Sequence, residues 1–365
     1  MTLEQKNLQK RIQLMLDDEG LFRAKSCERL DIAFGTTIGE VRKENQDTVA
    51  VVHGTGPREQ NNFVLALVCD GIAGLPNGRL AAHFTLSSFV AQLVLEAKPV
   101  DSGSLENILE ATNVAVSDAL KGDGGATIAG VLIGVSETNA FSVGDSRVYQ
   151  LPDHGKPKQI TRDDTLAAIL MEMGKAPAVL DDIGVSKQLA QYVGQSVPLS
   201  PQIISLDLQS ENCLLLGTDG LNLVPTSLVS KIVKLSPTRV VAVDRILKLS
   251  RWLGGLDNAS IVLVGPRVKP QNATSSKEFT LHSVGITHSF SYANGTHSEL
   301  PLPSERPPGV PFSQSSKDRK PSRRKKRQDL KKVSSSTLSP GVLELEYVPE
   351  PSPVSVENDS EVKED

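Results

Sequence analysis

Four aspartates in this chain are placed to do chemistry, because each sits at the edge of a strongly apolar run. Asp47 closes the charged stretch "VRKENQD" and opens "TVAVVH". Asp70, followed by Gly71, ends "FVLALVC", and Asp219, followed by Gly220, ends "CLLLGT". Asp257, followed by Asn258, precedes "ASIVLVG". A carboxylate at the mouth of an apolar strand is held rigidly yet faces solvent. Several converging there repel one another strongly unless a cation lies between them. Oxygen-only ligands suit hard ions such as Mg²⁺ or Mn²⁺. A glycine beside the aspartate lets the backbone approach the ion and lend its carbonyl. Each Asp-Gly pair, read alone, is also an ordinary turn signal after a strand. Spacing by itself does not prove that the four converge.

Hydrophobic periodicity gives the elements that must position them. Leu3, Leu8, Ile12, Met15 and Leu16 lie at helical spacing and predict a short amphipathic helix over residues 3–17. Strands are expected at "TTIGEV", "DTVAVVH" and "FVLALVCD", then helices over 79–97 and 104–121. Strands resume at "ATIAGVLIGV", "NAFSVG" and "SRVYQL", and a mixed polar region spans 161–200. "CLLLGTDG" is a further strand, helices follow at 226–235 and 238–253, and "ASIVLVGP" is the last strand. Strands do not alternate singly with helices. The order predicts an α+β fold, with antiparallel sheets and helices segregated outside them.

Composition bounds the rest. A chain of 365 residues, 39% hydrophobic and 22% charged, suits one globular domain of about 200–250 residues plus additional material. A net charge of −4 excludes a protein built as a whole to coat nucleic acid. Cys27, Cys69 and Cys213 show no paired spacing, which argues against a disulfide framework or a zinc site. His53, His83 and His154 are expected at the surface or in packing. The N-terminus lacks a signal-type apolar core, and no run of 18 apolar residues occurs, so the expectation is a cytoplasmic protein without a membrane span.

The division expected is a helical extension at 1–30, a globular domain at 31–267 and a tail at 268–365. The tail is rich in Ser, Pro, Asn, Thr and charge, and it is expected to be mostly disordered. It holds a basic block at 317–332 and an acidic end. The block suits nucleic acid, an acidic partner or a membrane surface, or it is a solvated segment folding back on its acidic neighbour. Interleaved aromatics that would stack on bases are missing from it.

From about residue 31 to 267 the chain resembles the PP2C family, the metal-dependent (PPM-type) protein Ser/Thr phosphatases, and in particular its bacterial-type members. "GEVRKENQD", "VCDGIAGLPNGRLAA", "GGATIAGVLI", "FSVGDSRVYQL", "QITRDDTL", "LAQYVGQ", "LLLGTDGLNLV" and "DNASIVLV" resemble that family's motifs in order. The resemblance implies two packed antiparallel sheets flanked by helices, an α-β-β-α sandwich. It also implies a binuclear Mn²⁺ or Mg²⁺ centre. Asp70 would bridge both ions, Gly71 would offer its carbonyl, and Asp219 and Asp257 would complete the second ion's ligand set. Asp47 would bind or orient metal waters, and Asp145 of "GDSR" would help hold a third ion. Arg42 would hold the substrate phosphate, and a metal-activated water would attack phosphorus in line. The implied partners are phosphorylated proteins and a cognate Ser/Thr kinase.

Departures from the family pattern are Gln46 in place of a common Glu, Ile72 after "DG", Ala73 within "DGIAG" and Asp164 in "RDDTL". None removes a core carboxylate. Gln46 supports an alternative, a PP2C-like pseudophosphatase or phosphoprotein-binding adaptor whose basic tail docks an acidic partner. Arg147 of "GDSR" is expected in a structural ion pair more often than on phosphate.

Overall fold

Two strands show why the molecule is layered. In β4 (Phe63–Asp70), Val64, Ala66 and Val68 enter one apolar cluster, while Leu65, Leu67 and Cys69 enter another. In β10 (Cys213–Gly217), Leu214 and Leu216 enter the same central cluster as Val64, and Leu215 enters a third. Side chains of a strand alternate between its faces. A strand covered on both faces therefore reads as a continuous apolar run, which is how "FVLALVC" and "CLLLG" read. Burying each such Leu or Val contributes about 1.5–3 kcal/mol.

The structure is a computed structural model that describes residues 1–297 apart from 17–21, 57, 97–99, 175–187, 208–211, 267, 273–276, 286 and 294–295. These residues lie within one compact unit, Met1–Leu302. Among them the first sheet has the order β1 (Phe22–Cys27), β2 (Ile32–Thr37), β11 (Ala259–Val264), β10, β7 (Arg147–Leu151), β8 (Lys158–Gln159). The second has the order β14 (Thr296–His297), β13 (Thr287–Ala293), β12 (Lys277–Ser283), β3 (Asp47–Thr55), β4, β5 (Ile128–Ile133), β6 (Thr138–Val143), β9 (Gln202–Leu206). Their strand pairings are antiparallel.

The sheets face each other across the central cluster, where Phe34, Val148, Leu216 and Val262 meet Val49, Val51, Val64 and Val131. Outside the second sheet lie α1 (Leu3–Leu16), α2 (Gly78–Leu95) and α3 (Ser102–Leu120). Outside the first lie α5 (Thr226–Leu235) and α6 (Arg239–Trp252). A short α4 (Leu166–Glu172) stands in the mixed 161–200 region, with Thr165 Oγ1 accepting from the Ala168 amide at 3.1 Å as its cap. The expected α+β class, two packed antiparallel sheets flanked by helices, is borne out.

Three expectations are corrected in detail. The strand expected at "TTIGEV" ends at Thr37, because Gly39 turns the chain with φ +78. The sheet also begins before residue 31: β1, inside the expected helical extension, pairs along its length with β2. The expected disordered tail does not begin at 268, because β12 pairs with β3 and β13 with β12. Phe279, Leu281 and Phe290 from this hairpin are buried in the α-helical side of the second sheet. The hairpin hides in sequence because Thr280 and His282 alternate with its apolar residues, leaving no continuous run. Residues 298–365, with the basic block and acidic end, lie outside the described residues.

Candidate active site

The tips of the strands and the turns that follow them bring the acidic motifs together. Asp47 opens β3, Asp70 closes β4, and the two stand directly opposite in the ladder. The backbone around Asp70 is pinned on both sides. The Thr127 amide donates to the Asp70 carbonyl at 2.8 Å, and the Gly71 amide donates to the Gln46 carbonyl at 3.1 Å. Glycine at 71 also has a packing reason. A Cβ there would stand 2.2 Å from the Gly78 carbonyl oxygen, in the first turn of α2. Gly220 is required in the same way, since its Cβ would stand 1.9 Å from the Asn258 oxygen.

A cleft of about 490 Å³ opens between these ends. Arg42, Asp70, Gly71, Asp145, Asp219 and Asp257 line it, with Ile72, Thr127, Leu189 and Tyr192 among its other walls. Of the residues expected to hold metal or phosphate, Asp47 alone is not in the lining. It is fully buried behind the cleft, where its Oδ2 accepts from the Thr218 hydroxyl at 2.8 Å. Arg42 Nη2 donates to Asp257 Oδ2 at 2.5 Å.

The electrostatics follow from crowding acids together. Burial first, then repulsion from Asp47, Asp219 and Asp145, pushes the Asp70 carboxyl well above the ordinary carboxylate range. Asp47 is pushed up to about 7 by burial, against hydroxyl donation from Thr218 and Ser260. Asp145 is pushed up to about 7 by burial and by repulsion from Asp219 and Asp163. A neighbouring cation would reverse each of these shifts.

Among the described residues no group of three or more His, Cys, Asp or Glu side chains is gathered around one point as a metal cage. The placement accounts for this: Asp257 is drawn to Arg42, and Asp47 lies behind the cleft rather than in its wall. The donor set nonetheless fits a hard divalent cation. It is all oxygen, and Asp47 Oδ1 is buried with no hydrogen-bond partner among the described residues.

Three sequence departures acquire a structural account. Gln46 is not in the cleft wall. Its amide nitrogen donates to Asn258 Oδ1 at 2.8 Å, and its side chain lies against Gly78. Asp164 is a buried clip for the "GDSR" turn: its Oδ2 accepts from the Gly144 amide (3.0 Å) and Gln191 Nε2 (2.8 Å), and its Oδ1 from Gln202 Nε2 (3.0 Å). Ile72 contributes an apolar wall to the cleft. Arg147 forms the expected structural pair, bidentate to Asp163 at 2.8 and 2.6 Å.

Sequence reading missed Thr218 and Asn258 as organisers of the site. Asn258 Nδ2 donates to the Ile38 and Glu44 carbonyls at 2.9 and 3.0 Å and so holds the loop carrying Arg42. The only signal for it was its place beside Asp257. No described histidine lines the cleft.

No model of a known protein family matches the chain. Curated relatives do. The serine/threonine phosphatase stp of Listeria monocytogenes is 25% identical over 243 residues, covering 63% of this chain and 94% of the relative. A putative protein phosphatase 2C-type of Streptococcus pyogenes is 25% identical over 252 residues, covering 64% and 97%. Among solved structures, the S. agalactiae serine/threonine phosphatase aligns with TM-score 0.57 at 21% identity, covering 67% of this chain and 99% of that one. The catalytic domain of the serine threonine protein phosphatase PstP in complex with two manganese ions aligns with TM-score 0.52 at 22% identity, covering 64% and 96%. The fold is thus that of the bacterial Ser/Thr phosphatases, and the resemblance to the PP2C family is borne out. The similarity spans nearly the whole length of these relatives.

Proposed function

We propose that the chain is a metal-dependent phosphatase that hydrolyses phosphoserine and phosphothreonine in proteins. One observation carries this reading: Asp70, Asp145, Asp219 and Asp257 line a single cleft together with Arg42. In this reading Asp70, the Gly71 carbonyl, Asp219 and Asp257 would hold two Mn²⁺ or Mg²⁺ ions, Asp47 would bind or orient metal waters, and Asp145 would help hold a third ion. The curated relatives are named as Ser/Thr phosphatases, and the PstP structure contains two manganese ions. Bound there, the ions polarise phosphoryl oxygens and acidify water at neutral pH.

The chain's own residues do the rest. Arg42 presents a planar fork suited to phosphate oxygens, and the side chain is braced by Asp257. β4 and β10 hold Asp70 and Asp219 on a rigid sheet edge, so little reorganisation accompanies charge transfer. Ile72 and Leu189 make part of the wall apolar. Among the described residues the lining contains no Cys, His or Ser, and the Thr127 hydroxyl is engaged with Ser146 at 2.7 Å. Direct attack by water, without a phosphoenzyme, suits such a wall. The pseudophosphatase alternative gains nothing from Gln46, which faces Gly78 rather than the cleft. A cognate kinase and a cytoplasmic location belong to the same reading.

The test is phosphate release from phosphothreonine peptides with Mn²⁺ present or chelated. Turnover that requires Mn²⁺ and falls at least 100-fold in Asp219→Asn is expected, roughly the loss typical of one preorganised electrostatic group. Peptide binding without turnover at any Mn²⁺ concentration would favour the adaptor instead.

A further inference from the structure

Behind the cleft, a series of buried hydroxyls runs from the first sheet to the second and ends on Asp47. Asn45 Nδ2 donates to Thr36 Oγ1 at 2.8 Å, and the hydroxyls of Thr36 and Ser260 are 2.7 Å apart. The Ser260 amide donates to Thr218 Oγ1 at 2.9 Å, and the Thr218 hydroxyl donates to Asp47 Oδ2 at 2.8 Å. Thr36 is on β2, Ser260 on β11 and Thr218 just past β10, all in the first sheet. Asp47 is on β3 in the second. These four residues are 0–2% exposed, so water does not compete for these bonds.

The last bond of the series has a fixed direction. A hydroxyl has one hydrogen to give. Thr218 Oγ1 accepts from the Ser260 amide, and its own hydrogen goes to Asp47 Oδ2. A network serving only its own satisfaction would not leave Oδ1 of that carboxylate buried and without a partner among the described residues.

We propose that Thr218 is a positioning residue that clamps Asp47 so that Oδ1 alone is offered to a divalent cation. This rests on the reading of the cleft as a metal centre. A carboxylate with both oxygens free can spread over a cation bidentately. One held oxygen leaves a single donor, which suits the near-octahedral geometry that Mg²⁺ demands. Thr218 also fixes the departure of the next residue, Asp219: its amide donates to the Ser260 carbonyl at 3.1 Å. One threonine thereby aligns an acid from each sheet.

The experiment is Mn²⁺ titration of the full chain by isothermal calorimetry, with thermal midpoints recorded in chelator. Thr218→Val keeps the side chain's shape and removes the donor. It is expected to weaken Mn²⁺ binding about 10–100-fold, as outer-shell losses do. Thr218→Ser restores the donor and should bind close to wild type. Thr218→Ala removes the same donor with less bulk, should weaken binding in the same direction, and keeps the test alive if Thr218→Val does not fold. Wild-type affinity in Thr218→Val, or equal losses in Thr218→Val and Thr218→Ser, overturns the proposal. Failure of the metal-centre reading is distinguishable, since the wild-type chain itself would then show no Mn²⁺ heat.

Discussion

Asp70 and Gly71 show how one dipeptide answers to two constraints. The carboxylate faces the cleft, while the glycine admits α2 against the strand end, its missing Cβ standing where it would meet the Gly78 carbonyl at 2.2 Å. Gly71→Ala is therefore expected to cost about 1–3 kcal/mol, as overpacking does. The urea midpoint measures this, and an unchanged midpoint would contradict the packing account. Arg42, Asp70, Asp145, Asp219 and Asp257 were legible because each sits in a short local motif beside an apolar strand. Thr218 and Asn258 were not. Their partners lie 171, 212, 214 and 220 residues away in sequence, and nothing local distinguishes a threonine that bonds across two sheets from one that does not.

At the scale of elements, strands buried on both faces and helices with a clear 3.6-residue period were readable. The β12–β13 hairpin was not, since a strand covered on one face alternates apolar and polar residues and resembles its polar surroundings. Leu281, with no exposed surface, packs from this hairpin beneath the helices. Leu281→Ala is expected to destabilise the domain by about 2–5 kcal/mol in denaturant unfolding. A loss near zero would return residues 277–293 to a tail. Asp164 belongs to this scale too, since it joins the turn after β6 to Gln191 and Gln202. Asp164→Ala leaves the buried Gly144 amide unpaired, while Gln191 and Gln202 keep the Ser200 and Arg162 carbonyls, and should cost about 1–3 kcal/mol. Hydrogen exchange at the Gly144 amide should quicken with it, and unchanged protection there would contradict the clip.

Across the whole molecule, the strand-and-helix order was enough to place two antiparallel sheets inside a helical shell. The long-range register that puts Asp47 behind Asp70 was not readable, because it depends on which strands pair. The outer hairpin also adds a pH response. Burial, then the neighbouring His53 and Lys25, lowers His282 to about 4, and His53 is lowered by burial and Arg29. The rings stack at 5.5 Å. The unfolded chain therefore takes up these protons first. Their stabilising contribution is complete above the ordinary histidine value near pH 6.5 and is lost as pH falls toward 4. The thermal midpoint should drop over that interval, and His282→Gln should shrink the drop. An identical profile in His282→Gln would contradict it. The central claim, that the acidic cleft is a metal-dependent phosphatase site, is tested most directly by phosphate release from a phosphothreonine peptide across a Mn²⁺ titration, comparing wild type with Asp70→Asn. The account predicts saturable, Mn²⁺-dependent turnover in the wild type and none above background in a folded Asp70→Asn. Equal turnover in the two proteins would contradict it.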